Sequence, residues 1–160
     1  MKTIFAIITI TLSFVISVQG QSLRKVYGYV KTIAGSESIS ESEQTVAEIT
    51  AVLHDIGIRQ AELKYNSSAA RYQETEGPSV AAELMEGIVK KDVIDRVCHI
   101  IGNHHSYQKI DGIDFQILVE ADFLVNINEN QMDIKTINAI GDKYFKTKTG
   151  TYLLNIIYSC

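Results

Sequence analysis

The chain has 160 residues, 46 % apolar and 21 % charged, with one proline, ten glycines and no tryptophan. That length suits a single domain with a real core, and that composition excludes a disordered chain and a breaker-rich all-β fold. The formal charge of −4 excludes the basic footprint of a nucleic-acid binder, so an anionic ligand would need a local positive centre.

The N-terminus opens with Lys2 and an apolar run from Ile4 to Val18, followed by Val18-Gln19-Gly20. This layout matches a secretory signal peptide over residues 1–20, cut after Gly20, and implies a secreted protein. A misassigned start would leave a cytoplasmic one instead. The run is short for a spanning helix, which needs about 20 residues, so no membrane span is expected after cleavage.

Leu23, Val26, Tyr27, Val30, Ile33 and Ala34 recur at helical spacing and predict a first helix over about 21–35. Ser42 is a plausible N-cap for a second amphipathic stripe, Val46, Ile49, Leu53 and Ile56, closed by Gly57. From Arg59 to Thr75 the pattern is irregular and polar, with Asn66-Ser67-Ser68 reading as loop and, in a eukaryotic secretory pathway, as a glycosylation sequon. Glu76-Gly77-Pro78 then opens a third helix, because proline's missing N–H costs nothing at the first helical position.

A fourth helix starts at Asp92, carries Val93, Ile94, Val97, Cys98 and Ile101, and runs into His104-His105. A turn covers 106–112 and a fifth helix 113–127. The stretches 134–145 and 151–158 read as one or two more. The expected fold is an all-α bundle of about six to seven helices over residues 21–160. Cys98 and Cys160 are too few for a disulfide framework; Cys98 reads as a buried thiol, with a Cys98–Cys160 bridge as the alternative.

Chemistry concentrates at four places. His54-Asp55 falls inside the second helical pattern, behind the small residues Ala47, Thr50 and Ala51. His104 aligns with Val93, Val97 and Ile100, and His105 with Ile94, Cys98 and Ile101, so both are expected near the core. His99 falls on the opposite face with Asp92, Asp95, Arg96 and Asn103. Asp122 shares a face with Phe115, Leu118 and Val119, where an unpaired carboxylate would cost several kcal/mol unless a metal or basic group met it. A single core histidine is usually just hydrogen-bonded; the combination of His-Asp, a histidine pair and a misplaced aspartate points to a metal site.

Ala51-Val52-Leu53-His54-Asp55-Ile56-Gly57, Gln73-Glu74-Thr75-Glu76-Gly77-Pro78, Ile101-Gly102-Asn103-His104-His105-Ser106-Tyr107 and Leu118-Val119-Glu120-Ala121-Asp122 resemble the HD domain family of metal-dependent phosphohydrolases. The likeness runs from about Leu23 to Leu154, closest to small stand-alone bacterial and clostridial-type members. It implies the HD helical bundle and a divalent metal (Fe, Mn, Mg, Zn or Ni) held by His54, Asp55 and Asp122. His104 or His105 would complete a second position, and Glu76 would be either a ligand or a helix N-terminal charge.

The implied activity is hydrolysis of a small phosphate ester such as a nucleotide, with the metal activating water and polarising the phosphoryl oxygen. Asp55 and His105 are the implied catalytic residues, and Lys146 and Lys148 candidate phosphate contacts beside a solvated-charge reading. The chain departs from the family pattern at its first ligand: Gln21 or Ser22 stands where the family has a histidine. The alternative is therefore a catalytically impaired HD-fold protein that binds a ligand or partner. An oxygen-activating HD-type enzyme would need a fuller ligand set.

Overall fold

A computed structural model describes residues 19–158. The leader expected over residues 1–20 lies, except for its last two residues, outside the described residues, and so does Cys160. The described chain is all-α: α1 Gln19–Ser36, α2 Glu41–Leu53, α3 Ile58–Tyr65, α4 Ala70–Met85, α5 Lys91–Ile101, a 3-10 turn Tyr107–Lys109, α6 Ile113–Glu129, α7 Ile134–Tyr144 and α8 Lys148–Tyr158. None of these helices is long and apolar enough to cross a membrane.

The bundle is built around α6. Phe115, Ile117, Leu118, Leu124 and Ile127 are all fully buried and spread around the helix, so it is covered on every side, as a central helix must be. The helix α1 lies along it through Val26, Val30 and Ile33, and α2 joins them through Ala47, Ile49, Ala51 and Leu53. On the other side of α2, α5 contributes Val97, Ile100 and Ile101 and carries α4 on its back. The helices α7 and α8 close the remaining face of α6, where Tyr158 donates its hydroxyl to the Leu124 carbonyl.

Four local expectations are corrected. The cap of α2 is Ser40, not Ser42: Ser40 and Glu43 form a reciprocal capping box, which satisfies two otherwise orphaned donors. The helix ends at Leu53, so His54 is its C-cap and Asp55 to Gly57 form a turn. The polar stretch after Arg59 contains the short helix α3, anchored by the fully buried Ala61 and ended by Asn66 in the left-handed region (φ 49°). The helix expected to open at Pro78 opens at Ala70, with Pro78 inside it.

Packing explains the last two. Gly57 and Gly77 cross at backbone contact: a Cβ on Gly57 would fall 2.7 Å from Gly77 N and 2.5 Å from the Gln73 carbonyl. The rings of Tyr65 and Tyr72 stack at 4.2 Å, joining α3 to the first turn of α4. Tertiary contacts thus hold eight residues helical ahead of a proline that removes a hydrogen bond. The extra helix raises the count to eight among the described residues, one above the expected range.

Candidate metal centre

Three chain segments meet inside the bundle: the turn after α2, the turn after α5, and the middle of α6. The first supplies His54 and Asp55, the second His104 and His105, the third Asp122. A helix C-terminus followed at once by a turn puts these side chains at helix ends, where the backbone carbonyls fix the rings. His54 Nδ1 donates to the Ala51 carbonyl (3.0 Å) and His104 Nδ1 to the Ile101 carbonyl (2.7 Å). In both rings this leaves Nε2 as the inward-facing atom, the tautomer control that metal-binding histidines need.

His54 Nε2 lies 3.3 Å from Asp55 Oδ2 and 3.7 Å from Asp122 Oδ1, with the ring almost fully buried. Burial opposes its charge, but Asp55's charge and hydrogen bond and then Asp122's charge outweigh it, raising the imidazole to about 9. His104 has the opposite fate. Burial first, then the neighbouring His105 and His54, lower it to about 3, so it is a neutral imidazole. Its Nε2 is buried without a partner and faces Asp55 Oδ1 at 3.9 Å. His105 Nε2 is likewise buried and unpartnered.

Asp55 is the hub. Burial would raise its carboxyl, but His54, His104 and His105 hold it well below the usual carboxylate range. One ligand atom each from Asp55, His104 and His105 fall within 4.8 Å of one another, close enough for one cation to reach all three. Asp122, raised by burial and relieved mainly by His54, has its second oxygen held by Asn126 Nδ2 at 2.8 Å, which leaves Oδ1 turned to His54. Two buried imidazole nitrogens without partners, in a cluster with a carboxylate, fit a divalent metal such as zinc, iron, manganese or nickel. Two orphaned buried nitrogens are otherwise expensive, because an unmade buried hydrogen bond costs about 1–3 kcal/mol.

Of the expected ligands, five come together and one does not. Glu76 is the exception: one oxygen pairs with Lys64 Nζ and the other accepts from Tyr65 at 2.9 Å. Those hydrogen bonds lower its carboxyl, and it sits mid-helix, so the reading as a helix N-terminal charge is also corrected. His99 is exposed as expected and meets Asp111 at 3.1 Å. Ser22, where a first ligand was expected, hydrogen-bonds Glu129 at 3.2 Å beside the Lys25–Glu129 pair. Glu129 follows Asp122 by two turns of α6, and its charge is among those that raise Asp122.

Two residues were missed. Glu74 accepts the His105 backbone N–H at 3.0 Å and the Ser106 hydroxyl at 3.4 Å, tying the histidine turn to α4. It stood inside a quoted motif, two residues before Glu76, with nothing in the spacing to mark it. Asn126 lies one turn after Asp122, the spacing that lets an amide hold a carboxylate. Tyr107, which follows the histidine pair, is pushed up to about 12 by burial and then by Asp122's charge.

No family model, curated protein or solved structure matches this chain.

Proposed function

We propose that the chain is an HD-type metal-dependent phosphohydrolase acting on a small phosphate ester, a nucleotide being the favoured class. The observation that carries this reading is the pair of buried, partnerless Nε2 atoms of His104 and His105, in the cluster that these two rings form with Asp55. His54, Asp55 and Asp122 would hold a divalent metal, with His104 and His105 extending the set. When bound, the metal would polarise a phosphoryl oxygen and make water a competent nucleophile near neutral pH.

The protein's own groups supply the rest. Asp55 can orient the attacking water as an ionised acceptor, its ionised form being favoured above all by the charge and hydrogen bond of His54. His105, held at its backbone by Glu74, can offset charge developing on the phosphoryl group. Secretion, inferred from the leader pattern, remains part of the proposal.

A second reading has its own support: an impaired HD-fold protein serving as a binding module. Gln21 or Ser22 stands where the family pattern calls for a histidine, and Ser22 is spent on a hydrogen bond to Glu129, which leaves the proposed set one imidazole short. The test is hydrolysis of p-nitrophenyl phosphate and nucleoside monophosphates by the chain loaded with each divalent metal in turn. Turnover abolished by His54→Ala supports the enzyme. Stoichiometric metal with no turnover on any ester supports the binding module.

A further inference from the structure

The helices α7 and α8 form a hairpin on the surface of the bundle, joined by the short connection 145–147. Among the described residues six large apolar side chains are exposed, and four belong to this hairpin: Ile134, Tyr152, Ile156 and Ile157. Both helices already dock on the bundle through Ile137 and Leu154, so these four add nothing to the core. Lys148, Tyr152 and Ile156 follow one another at intervals of four, all exposed, and make one outward stripe along α8. The hairpin is antiparallel, with Asn138 and Asn155, then Asp142 and Thr151, lining the groove between its helices; Ile134 therefore reaches the same end as Ile156.

Charge separates the hairpin from the rest of the bundle. From Ile134 to Tyr158 there are four lysines, Lys135, Lys143, Lys146 and Lys148, and one acid, Asp142. From Gln19 to Asp133, ten Lys and Arg meet eighteen Asp and Glu. All four lysines are exposed, and among the described residues none is in an ion pair, whereas Lys25, Lys64, Lys91 and Arg96 each are. The acids beside them are engaged: both Asp133 oxygens accept from Thr136, and Glu37, next to Lys148, accepts the Thr149 N–H at 2.8 Å. Lys143 rests over the Tyr144 ring at 4.9 Å and Lys146 donates to the Asp142 carbonyl at 3.1 Å, which keeps both at the connection end.

We propose that the α7–α8 hairpin is a docking surface for an anionic lipid bilayer, on which the protein lies without spanning it. Ile134, Tyr152 and Ile156 enter the boundary between headgroups and acyl chains, and the lysines lie among the lipid phosphates. Tyrosine suits that boundary, because its ring is apolar and its hydroxyl stays wet. The acid-rich remainder of the bundle turns away from the same surface, so the charge separation also orients the protein. Lysine is depleted from protein–protein interfaces, and the polar Thr151 and Asn155 interrupt the apolar stripe, which speaks against a protein partner. The surface is independent of the metal centre and of the phosphohydrolase reading.

The test is cosedimentation of the protein from Gln21 onward with vesicles of phosphatidylcholine alone and of phosphatidylcholine with about 30 % phosphatidylglycerol. Starting at Gln21 removes the apolar run Ile4–Val18, which would bind vesicles by itself, and keeps the buried core from Val26 on. Binding to the anionic vesicles should exceed binding to the neutral ones by about tenfold or more and fall as salt rises. Tyr152→Ser with Ile156→Ser, and separately Lys135→Gln with Lys148→Gln, should each weaken it by about tenfold. All four side chains are exposed, so helicity by circular dichroism should be the same in both variants. No binding to anionic vesicles, or binding that both variants keep in full, would overturn the proposal. A protein that ignores vesicles and self-associates until Tyr152→Ser with Ile156→Ser releases the monomer would overturn it in favour of a second copy on this face.

Discussion

The crossing of Gly57 and Gly77 sets the distance between the turn carrying Asp55 and the helix carrying Glu74. Gly57→Ala perturbs it directly. Its added Cβ would lie 2.5 Å from the Gln73 carbonyl oxygen, 2.7 Å from Gly77 N and 2.9 Å from Gly77 Cα, where ordinary contact starts near 3.4 Å. All three obstacles are backbone, so the turn and α4 must separate by about 0.5 to 0.9 Å, the shortfall from 3.4 Å.

Overpacking of this kind costs up to about 3 kcal/mol. Gly57 has φ −74° and ψ −16°, which alanine adopts easily, so the stiffer unfolded chain returns about 0.4–1 kcal/mol. The net is a destabilisation of about 2 kcal/mol, read as a lower urea midpoint by about 1 M at an unchanged slope. The control is Gly28→Ala, which meets nothing within 4 Å on an exposed face of α1 and should gain about 0.5–1 kcal/mol. A Gly57→Ala chain as stable as its parent would refute the close-crossing argument, and with it the explanation for α4 extending ahead of Pro78.

Other consequences can be measured separately. Glu120 is fully buried and accepts from Gln116, from the Lys146 and Thr147 N–H groups and from the Thr147 hydroxyl, so Glu120→Ala should cost about 3 kcal/mol or more in urea unfolding; a loss below about 1 would contradict its role as the anchor of the α7–α8 connection. In the metal-free chain His54, held at about 9, contributes stability that is complete below the unfolded value of 6.5 and lost as pH rises through 9. His104, held at about 3, contributes stability that is present above 6.5 and lost as pH falls towards 3, because the unfolded chain takes a proton the native one refuses. Histidine NMR titration checks both, and a His104 titrating near 6.5 would contradict its burial as a neutral ring. Glu74→Ala should weaken metal binding by about 10- to 100-fold through the loosened His105 turn, and unchanged affinity would show that the turn needs no such tie. Gln21→His or Ser22→His should strengthen metal binding about tenfold or more if the opening of α1 lies over Asp122; no gain from either would place the missing donor elsewhere.

The helices that were legible are those whose apolar period is carried by large side chains: α1, α5 and α6 came out close to their expected bounds. The α3–α4 region was opaque because its helicity depends on partners distant in sequence, two glycines in backbone contact and a Tyr65–Tyr72 stack. The site was legible where a polar residue broke an apolar stripe, as at His54, His104 and Asp122. Glu76 misled because its charge was visible but its Lys64 and Tyr65 partners were not. Glu74 and Asn126 act by holding other groups in place, and nothing in a linear pattern separates such a residue from a solvated one.

Elemental analysis of the purified chain tests the central claim most directly, with no chelator and no histidine tag present. The account predicts near-stoichiometric iron, manganese, zinc or nickel, lost from His54→Ala and diminished in His104→Ala while both variants remain helical by circular dichroism. A folded chain that holds no metal, even after incubation with each ion in excess, would contradict it.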